Sequence, residues 1–273
     1  MSGALILPVV LACRAADPGA TALPVRALAG PAGLSDLAID PQGVLWAVSE
    51  RPAALVRLED PATRLPITGL PDGVEPEALA IGPDGTFWIG TEGRGDREQD
   101  GTYTLVLSES GAVATEPVPF PWAPWGRVAS NNEGVEAMCA GVDRWAAGEL
   151  TFNQDGRRLA PLARWTGSSW EPHAVPLTTP HGKISALACD KDGSLWAIER
   201  HYQDLALLHL SDLGAPIVTS TTCALPDWLR AIDANWEGLA IRGDTLLWIS
   251  DNQTLVVTGP TRLAETERRC EPG

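Results

Sequence analysis

An all-β chain folded as a β-propeller is what this sequence predicts. Three observations predict it: the balance of tryptophan and turn residues, a motif that recurs five times, and a recurrence interval as long as one four-stranded blade. The 273 residues include Trp 11 but only Phe 3 and Tyr 2, with Gly 27 and Pro 23. Such a mixture describes many short strands separated by turns, each with room for one large aromatic. The motif reads "SDLAIDPQGVLWAVSER" from Ser35, "EALAIGPDGTFWIGTEG" from Glu77, "EAMCAGVDRWAAGE" from Glu136, "SALACDKDGSLWAIER" from Ser185 and "EGLAIRGDTLLWISDN" from Glu237. Successive starts lie 42, 59, 49 and 52 residues apart. Five copies predict five blades. Six is the alternative, because the interval from Glu77 to Glu136 has room for a degenerate blade.

The elements follow in chain order. Residues 1–20 are expected to be a leader and linker, and residues 21–273 one propeller domain. The apolar run Ala4–Ala12 is too short to span a bilayer but fits the hydrophobic part of a signal peptide. "VLAC", Val10–Cys13, resembles a lipobox, which would make Cys13 a lipidated first residue; an ordinary cleaved signal or a buried first strand are the alternatives. The chain is therefore expected outside the cytoplasm: periplasmic, anchored at the outer membrane, or extracellular. "ALPVRALAG" then supplies a strand that closes the ring against the C-terminal end. Each copy is a hairpin, with "DPQG", "GPDG" and "DKDG" providing the Gly and Asp of tight turns. "AALVRLED" and "TRLPITGL" follow the first copy, "TYTLVLSES" and "AVATEPVPF" the second, and "LALLHLSD" and "PIVTSTTCAL" the fourth. Their alternation predicts third and fourth strands. The last copy is followed by one strand, "TLVVTG". Trp46, Trp88, Trp145, Trp196 and Trp248 take one place in every hairpin and are expected to pack between blades. With Cys13 set aside, Cys223 and Cys270 lie in loop-like sequence and are the expected disulfide, while Cys139 and Cys189 read as buried thiols.

The carboxylates carry the functional signal. In an antiparallel hairpin the start of the first strand lies beside the end of the second. Glu77 is thus expected to face Glu92, Glu136 to face Glu149, and Glu237 to face Asp251, with Ser35 beside Glu50 and Ser185 beside Glu199. First strands line the central channel of a propeller, so all five pairs converge on one mouth. Three kinds of cation could balance them. Arg51, Arg94 and Arg200 could close an internal ring; Ca²⁺ could take oxygen ligands from several blades, with Asn131, Asn132, Asn235 and Asn252 close by; or a basic ligand could bind. His201, next to "IER", and His181 can reach the same face, and a histidine there could act as general base, whereas His173 and His209 read as loop and strand residues. The formal net charge of −15 argues against nucleic acid and anionic membranes and for a small-molecule or cationic ligand, with membrane contact only through a lipid anchor, on a monomer. No GxSxG elbow, P-loop, GxGxxG or HExxH occurs, and "GRGD" at Gly93–Asp96 reads as a solvated turn.

"NNEGVEAMC", "NWEGLAIRGDTLLWISDN" and "LWAVSER" resemble the phytase-like family of exported bacterial proteins, the domain described as esterase-like activity of phytase. An EG-type glutamate with an Asp-Asn at another hairpin end is similar, more distantly, to calcium-binding propeller lactonases of the gluconolactonase group. The resemblance implies Glu136, Glu237, Asp251 and Asn252 as site residues, together with Glu50 and Arg51. The expected function is a Ca²⁺-assisted ester or phosphoester hydrolase. Glu77, Glu136, Glu237, Asp251 and Asn252 are the expected ligands, and His201, Glu237, Arg51 and Arg200 the expected catalytic groups. Glu50, Glu92, Glu149 and Glu199 complete the mouth. The alternatives are a non-catalytic binding propeller with a structural acid and arginine ring, and a lactonase.

Overall fold

A computed structural model describes residues 25–28, 33–60, 63–93, 101–128, 133–202, 204–252 and 258–271. The leader, Cys13, Arg94, Asn131 and Asn132 lie outside the described residues. The chain is built almost wholly from antiparallel strands. After β1 (Val25–Ala27), the first repeat forms β2 (Leu34–Ile39), β3 (Leu45–Ser49), β4 (Ala54–Arg57) and β5 (Arg64–Thr68). The second forms β6 (Val74–Ile81), β7 (Phe87–Gly93), β8 (Gly101–Ser108), β9 (Gly111–Ala114) and β10 (Val118–Pro119). The third forms β11 (Val135–Ala140), β12 (Arg144–Gly148), β13 (Phe152–Gln154), β14 (Arg157–Trp165) and β15 (Trp170–Pro176). The fourth forms β16 (Lys183–Cys189), β17 (Leu195–His201), β18 (Asp204–Ser211) and β19 (Thr219–Cys223), followed by the short helix α1 (Asp227–Ala231). The fifth forms β20 (Trp236–Arg242), β21 (Thr245–Ser250) and β22 (Arg262–Glu267).

These sheets stand around one axis as a β-propeller. β2 packs beside β6, β6 beside β11, β11 beside β16, β16 beside β20, and β20 returns to β2. The long interval after Glu77 is occupied by β7 to β10 and a 3₁₀ turn at Ala123–Trp125, while β6 and β11 touch directly. Sheets one and two are also joined at their outer edge, where β5 pairs in parallel with β9. The ring closes as its sequence implied, with β1 pairing antiparallel to β22, Val25 opposite Ala264. The third strand of the last sheet is β22, not "TLVVTG", most of which lies outside the described residues.

The tryptophans pack between neighbouring sheets, but one of them is displaced. Trp46, Trp88, Trp145 and Trp196 stand opposite the fourth residue of the inner-strand motif: Ala38, Ala80, Cys139 and Ala188. Each meets the following repeat. In the fifth hairpin the turn shortens to Gly243 and Asp244, so that Leu247 falls opposite Ala240 and Trp248 opposite Leu239. A shift of one residue turns a strand side chain to the other face. Trp248 therefore packs back on the fourth repeat beside Trp236 and Trp196, and Leu247 fills the seam between the fifth and first repeats.

Two disulfides cross repeats. Cys223 is bonded to Cys270, linking the fourth sheet to the C-terminal segment. Cys139 and Cys189 form a second bridge between β11 and β16, which corrects the expectation of buried thiols. Strand sequence alone hid this pair, because the two cysteines meet only where neighbouring inner strands lie side by side, with Cα atoms 5.4 Å apart. Peptide mapping without reduction is expected to recover Cys139 linked to Cys189 and Cys223 linked to Cys270. Recovery of either pair as free thiols would refute the pairing.

Candidate functional site at the channel mouth

Every inner strand carries a β-bulge at the same place. The register breaks between Leu34 and Asp36, Pro76 and Ala78, Val135 and Ala137, Ile184 and Ala186, and Trp236 and Gly238. The skipped residues are Ser35, Glu77, Glu136, Ser185 and Glu237, the first residue of each motif. A bulge leaves its extra residue out of the ladder and re-aims its side chain. The three glutamates consequently lie close enough across the mouth to raise one another's pKa.

The acids group both within hairpins and across repeats: Glu136 meets Glu149 of its own hairpin as expected, and each group also takes in an acid of the preceding repeat. Glu75, two residues before the motif, is the direct cross-strand partner of Glu92. Carboxylate oxygens of Glu50, Glu75 and Glu77 come within 4.8 Å of one another, as do those of Glu92, Glu136 and Glu149. The first trio joins the end of one hairpin to the start of the next, and the second joins the end of one hairpin to both ends of the next. Ser35 Oγ donates to Glu50 Oε1 at 2.6 Å. At the rim Arg51 Nε donates to Glu75 Oε1 at 2.7 Å, Lys183 pairs with Glu149, and Arg200 pairs with Glu237, which also accepts from Asn235 Nδ2 at 2.6 Å.

One expected member stands elsewhere. Glu199 is fully buried and accepts from the backbone N–H and hydroxyl groups of Thr178 and Thr179, at 2.6–2.8 Å, so it anchors the segment leading into β16. It pairs with Ile184 in the ladder, where the other repeats place Ser49, Thr91, Gly148 and Ser250. The ring position held elsewhere by Glu50, Glu92, Glu149 and Asp251 belongs in the fourth repeat to Arg200. Asp251 and Asn252 are buried at the end of β21, and Asn252 Nδ2 donates to the Pro260 carbonyl at 2.6 Å. Neither belongs to an acid trio, but the Asp251 carboxylate is near enough to Glu237, its expected partner, and to Glu50 to raise the pKa of both. His201 is half-buried beside Tyr202 and His181, with ring centroids 4.5 and 5.9 Å away, while His181 is exposed and lies 3.4 Å from Asp204. His173 and His209 hydrogen-bond away from the mouth, to the Ala215 carbonyl and Ser194 Oγ respectively.

Electrostatics follow from this crowding. Burial, and then the carboxylates of Glu50, Glu136, Glu92 and Glu237, push Glu77 well above the usual carboxylate range. Glu136 is pushed up in the same way by burial and then by Glu149, Glu92 and Glu237. Glu50 is raised mainly by burial, and Glu237 is pushed up to about 8 by burial, against the pull of Arg200. His201 is held below its ordinary value by burial and then by Lys183, His181 and Arg200. It is therefore neutral near pH 7 and able to accept a proton.

One residue of the channel carried no motif. Asp36, fully buried, stands where the other repeats have Ala78, Ala137, Ala186 and Gly238. Its carboxylate accepts the backbone N–H of Leu37 at 2.8 Å and of Leu79 at 2.9 Å, and the N–H groups of Met138 and Leu239 polarise it in the same sense. Burial raises its pKa, and those N–H groups oppose the rise. Its neighbour Gly238 has no room for a side chain: a Cβ there would lie 2.8 Å from Asp36 Cα. The glycine of "EGL" is thus a packing requirement. The signal for Asp36 was a lone acid in a column of alanine and glycine. Beyond it, the inner strands enclose a small apolar cavity lined by residues such as Leu37, Leu79, Met138 and Leu239, with no titratable side chain.

Comparison with known proteins gives the following. The sequence pattern of the family Phytase-like, described as esterase-like activity of phytase, matches residues 29–254. No curated protein matches the chain. Among solved structures, a protein of unknown function from Dyadobacter fermentans is 14% identical, with 90% of this chain and 84% of that one covered and a TM-score of 0.56. Regucalcin from Agrobacterium tumefaciens, a calcium-binding protein, is 16% identical over 89% and 79% of the two chains at TM-score 0.46. Virginiamycin B lyase from Staphylococcus aureus is 14% identical over 89% and 73% at TM-score 0.45.

Proposed function

This chain belongs to the phytase-like family, esterase-like activity of phytase, and from that membership we propose that the channel mouth is the catalytic centre of a cation-assisted hydrolase of ester or phosphoester bonds. The observation that carries the reading is the pair of carboxylate trios, Glu50–Glu75–Glu77 and Glu92–Glu136–Glu149. Their donors are all oxygen, and Glu77 and Glu92 are buried; at the rim Arg51 pairs with Glu75 and Lys183 with Glu149. Such a set fits a hard divalent cation, Ca²⁺ above all, and does not suit a soft metal. When bound, the ion would polarise a carbonyl or phosphoryl oxygen. Glu92, Glu136 and Glu149 would hold it, with the first trio as a second position. His201 would take the proton from water at its free ring nitrogen, and Arg200, fixed by Glu237, would orient the anionic part of the substrate.

The raised pKa values give the test a sign. A carboxyl whose folded pKa exceeds its unfolded value of about 4.5 stabilises the fold fully below that pH. The contribution is lost as pH rises through the folded pKa, which for Glu237 is about 8. The metal-free protein is therefore expected to melt at progressively lower temperature between about pH 4.5 and pH 8. Ca²⁺ should reverse that fall, by about 2.7 kcal/mol at a hundredfold excess over its dissociation constant. Thermal melts in EDTA and in Ca²⁺ at pH 5 and pH 8 measure both. No Ca²⁺ shift at pH 8 would sink the cation reading and leave the second one, a structural ring closed by the ion pairs of Arg51, Lys183 and Arg200.

A further inference from the structure

Beside the mouth, on the fourth and fifth repeats, opens a cavity of about 260 Å³ that the acid trios do not enter. Arg200 and Arg230 line it together with Tyr202, Ile232 and Trp236, and Asp233 is its one acid among the described residues. Arg230 projects from the last turn of α1, is exposed, and makes no ion pair among the described residues. Arg200 spends one terminal nitrogen on Glu237, while its buried Nε has no acceptor among the described residues. Trp236 is 1% exposed, and its Nε1 is likewise buried without an acceptor.

Two guanidiniums line the cavity against one carboxylate, so its lining carries a surplus of charged N–H donors. An anion suits the site best, since charge-assisted bonds from arginine are the strong ones and the guanidinium matches the planar or tetrahedral oxygens of carboxylate and phosphate. The walls are apolar and aromatic: Tyr202, Ile232 and the Trp236 ring.

We propose that this cavity binds the anionic end of a small aromatic or aliphatic ester, a phosphoryl or carboxylate group held by Arg200 and Arg230, while the scissile bond extends toward the acid trios. The words ester and scissile rest on the hydrolase reading; the binding of the anion does not. The site explains how a chain of net charge −15 can accept an anionic substrate: the cations are gathered at one side of a mouth that is otherwise acidic. It also favours a compact ligand with one anionic group over a polyanion, which the flanking carboxylates would repel.

Isothermal titration of the full chain with phenyl phosphate, benzoate and phenol tests this, using wild type and Arg230→Gln. At least one of the two anions is expected to bind tenfold or more tightly than phenol, and the tighter one assigns phosphoryl or carboxylate. Arg230→Gln should weaken the anion roughly tenfold. Phenol binding as well as both anions would overturn the proposal, and so would unchanged affinity in Arg230→Gln, an exposed position whose replacement should not disturb folding. The Ca²⁺ melt run on the same samples separates the two ideas. Anion binding that is lost in Arg230→Gln without any Ca²⁺ shift would uphold this site and reject the cation-assisted reaction.

Discussion

Replacing Asp36 with alanine is expected to cost about 3 kcal/mol or more of folding stability, since each buried N–H left without an acceptor costs about 1–3 kcal/mol. Each inner strand is the terminal strand of its sheet, so its channel-facing backbone groups have no ladder partner. Asp36 supplies one for two strands at once, its own β2 through Leu37 and β6 through Leu79, and the N–H groups of Met138 in β11 and Leu239 in β20 also favour its charged form. Backbone donors in such a place must be paired, and no residue of matching position in the other repeats can substitute, since these are alanines and a glycine. Asp36→Asn keeps one acceptor oxygen but turns an amide N–H₂ toward N–H donors, so it should also destabilise. Urea unfolding followed by tryptophan fluorescence measures both. A loss below about 1 kcal/mol in Asp36→Ala would show that the strands find another acceptor, and Asp36 would lose its role as the tie between them.

Glu136→Gln is expected to do two opposite things. In EDTA at pH 8 the variant should be more stable than wild type, by about 1 kcal/mol for each pKa unit of lost repulsion, because it removes one charge from a crowded and buried set. In Ca²⁺ it should lose most of the melting shift, and turnover of aryl esters or phosphoesters should drop at least a hundredfold, the scale expected when a positioned electrostatic group is removed. A purely structural ring predicts the reverse in EDTA, where breaking the ring would destabilise. Glu136 decides the matter better than Glu237, because Glu237 is already balanced by Arg200 and Asn235. A variant that retains the full Ca²⁺ shift would remove Glu136 from the ligand set.

Much of the fold is legible along the chain. The hairpin motif is local: apolar alternation, an Asp- and Gly-rich turn and a tryptophan on the return strand are written within about sixteen residues, so the five hairpins and their shared orientation follow from the sequence. Ring closure by the N-terminal strand follows too, because the last repeat lacks a strand and the first segment has one to spare. The convergence of Glu50, Glu77, Glu92, Glu136 and Glu149 on one mouth was visible in the same way, since a hairpin brings its own ends together.

What the sequence left open is set by single-residue register and by contacts between repeats. One bulge per inner strand put Glu75 in place of Glu77 opposite Glu92 and gathered the acids into trios shared by neighbouring repeats. A one-residue offset put Arg200 in the ring and buried Glu199 under two threonines. A turn shortened to two residues sent Trp248 to the opposite seam. The Cys139–Cys189 bridge and the grip of Asp36 on its neighbours join residues 50 and 43 positions apart. Strand patterning has period two and no memory beyond the hairpin, so the sequence determines which strands form and which face each repeat presents. Which side chains then meet is decided only when the inner strands pack side by side, and that belongs to the tertiary structure.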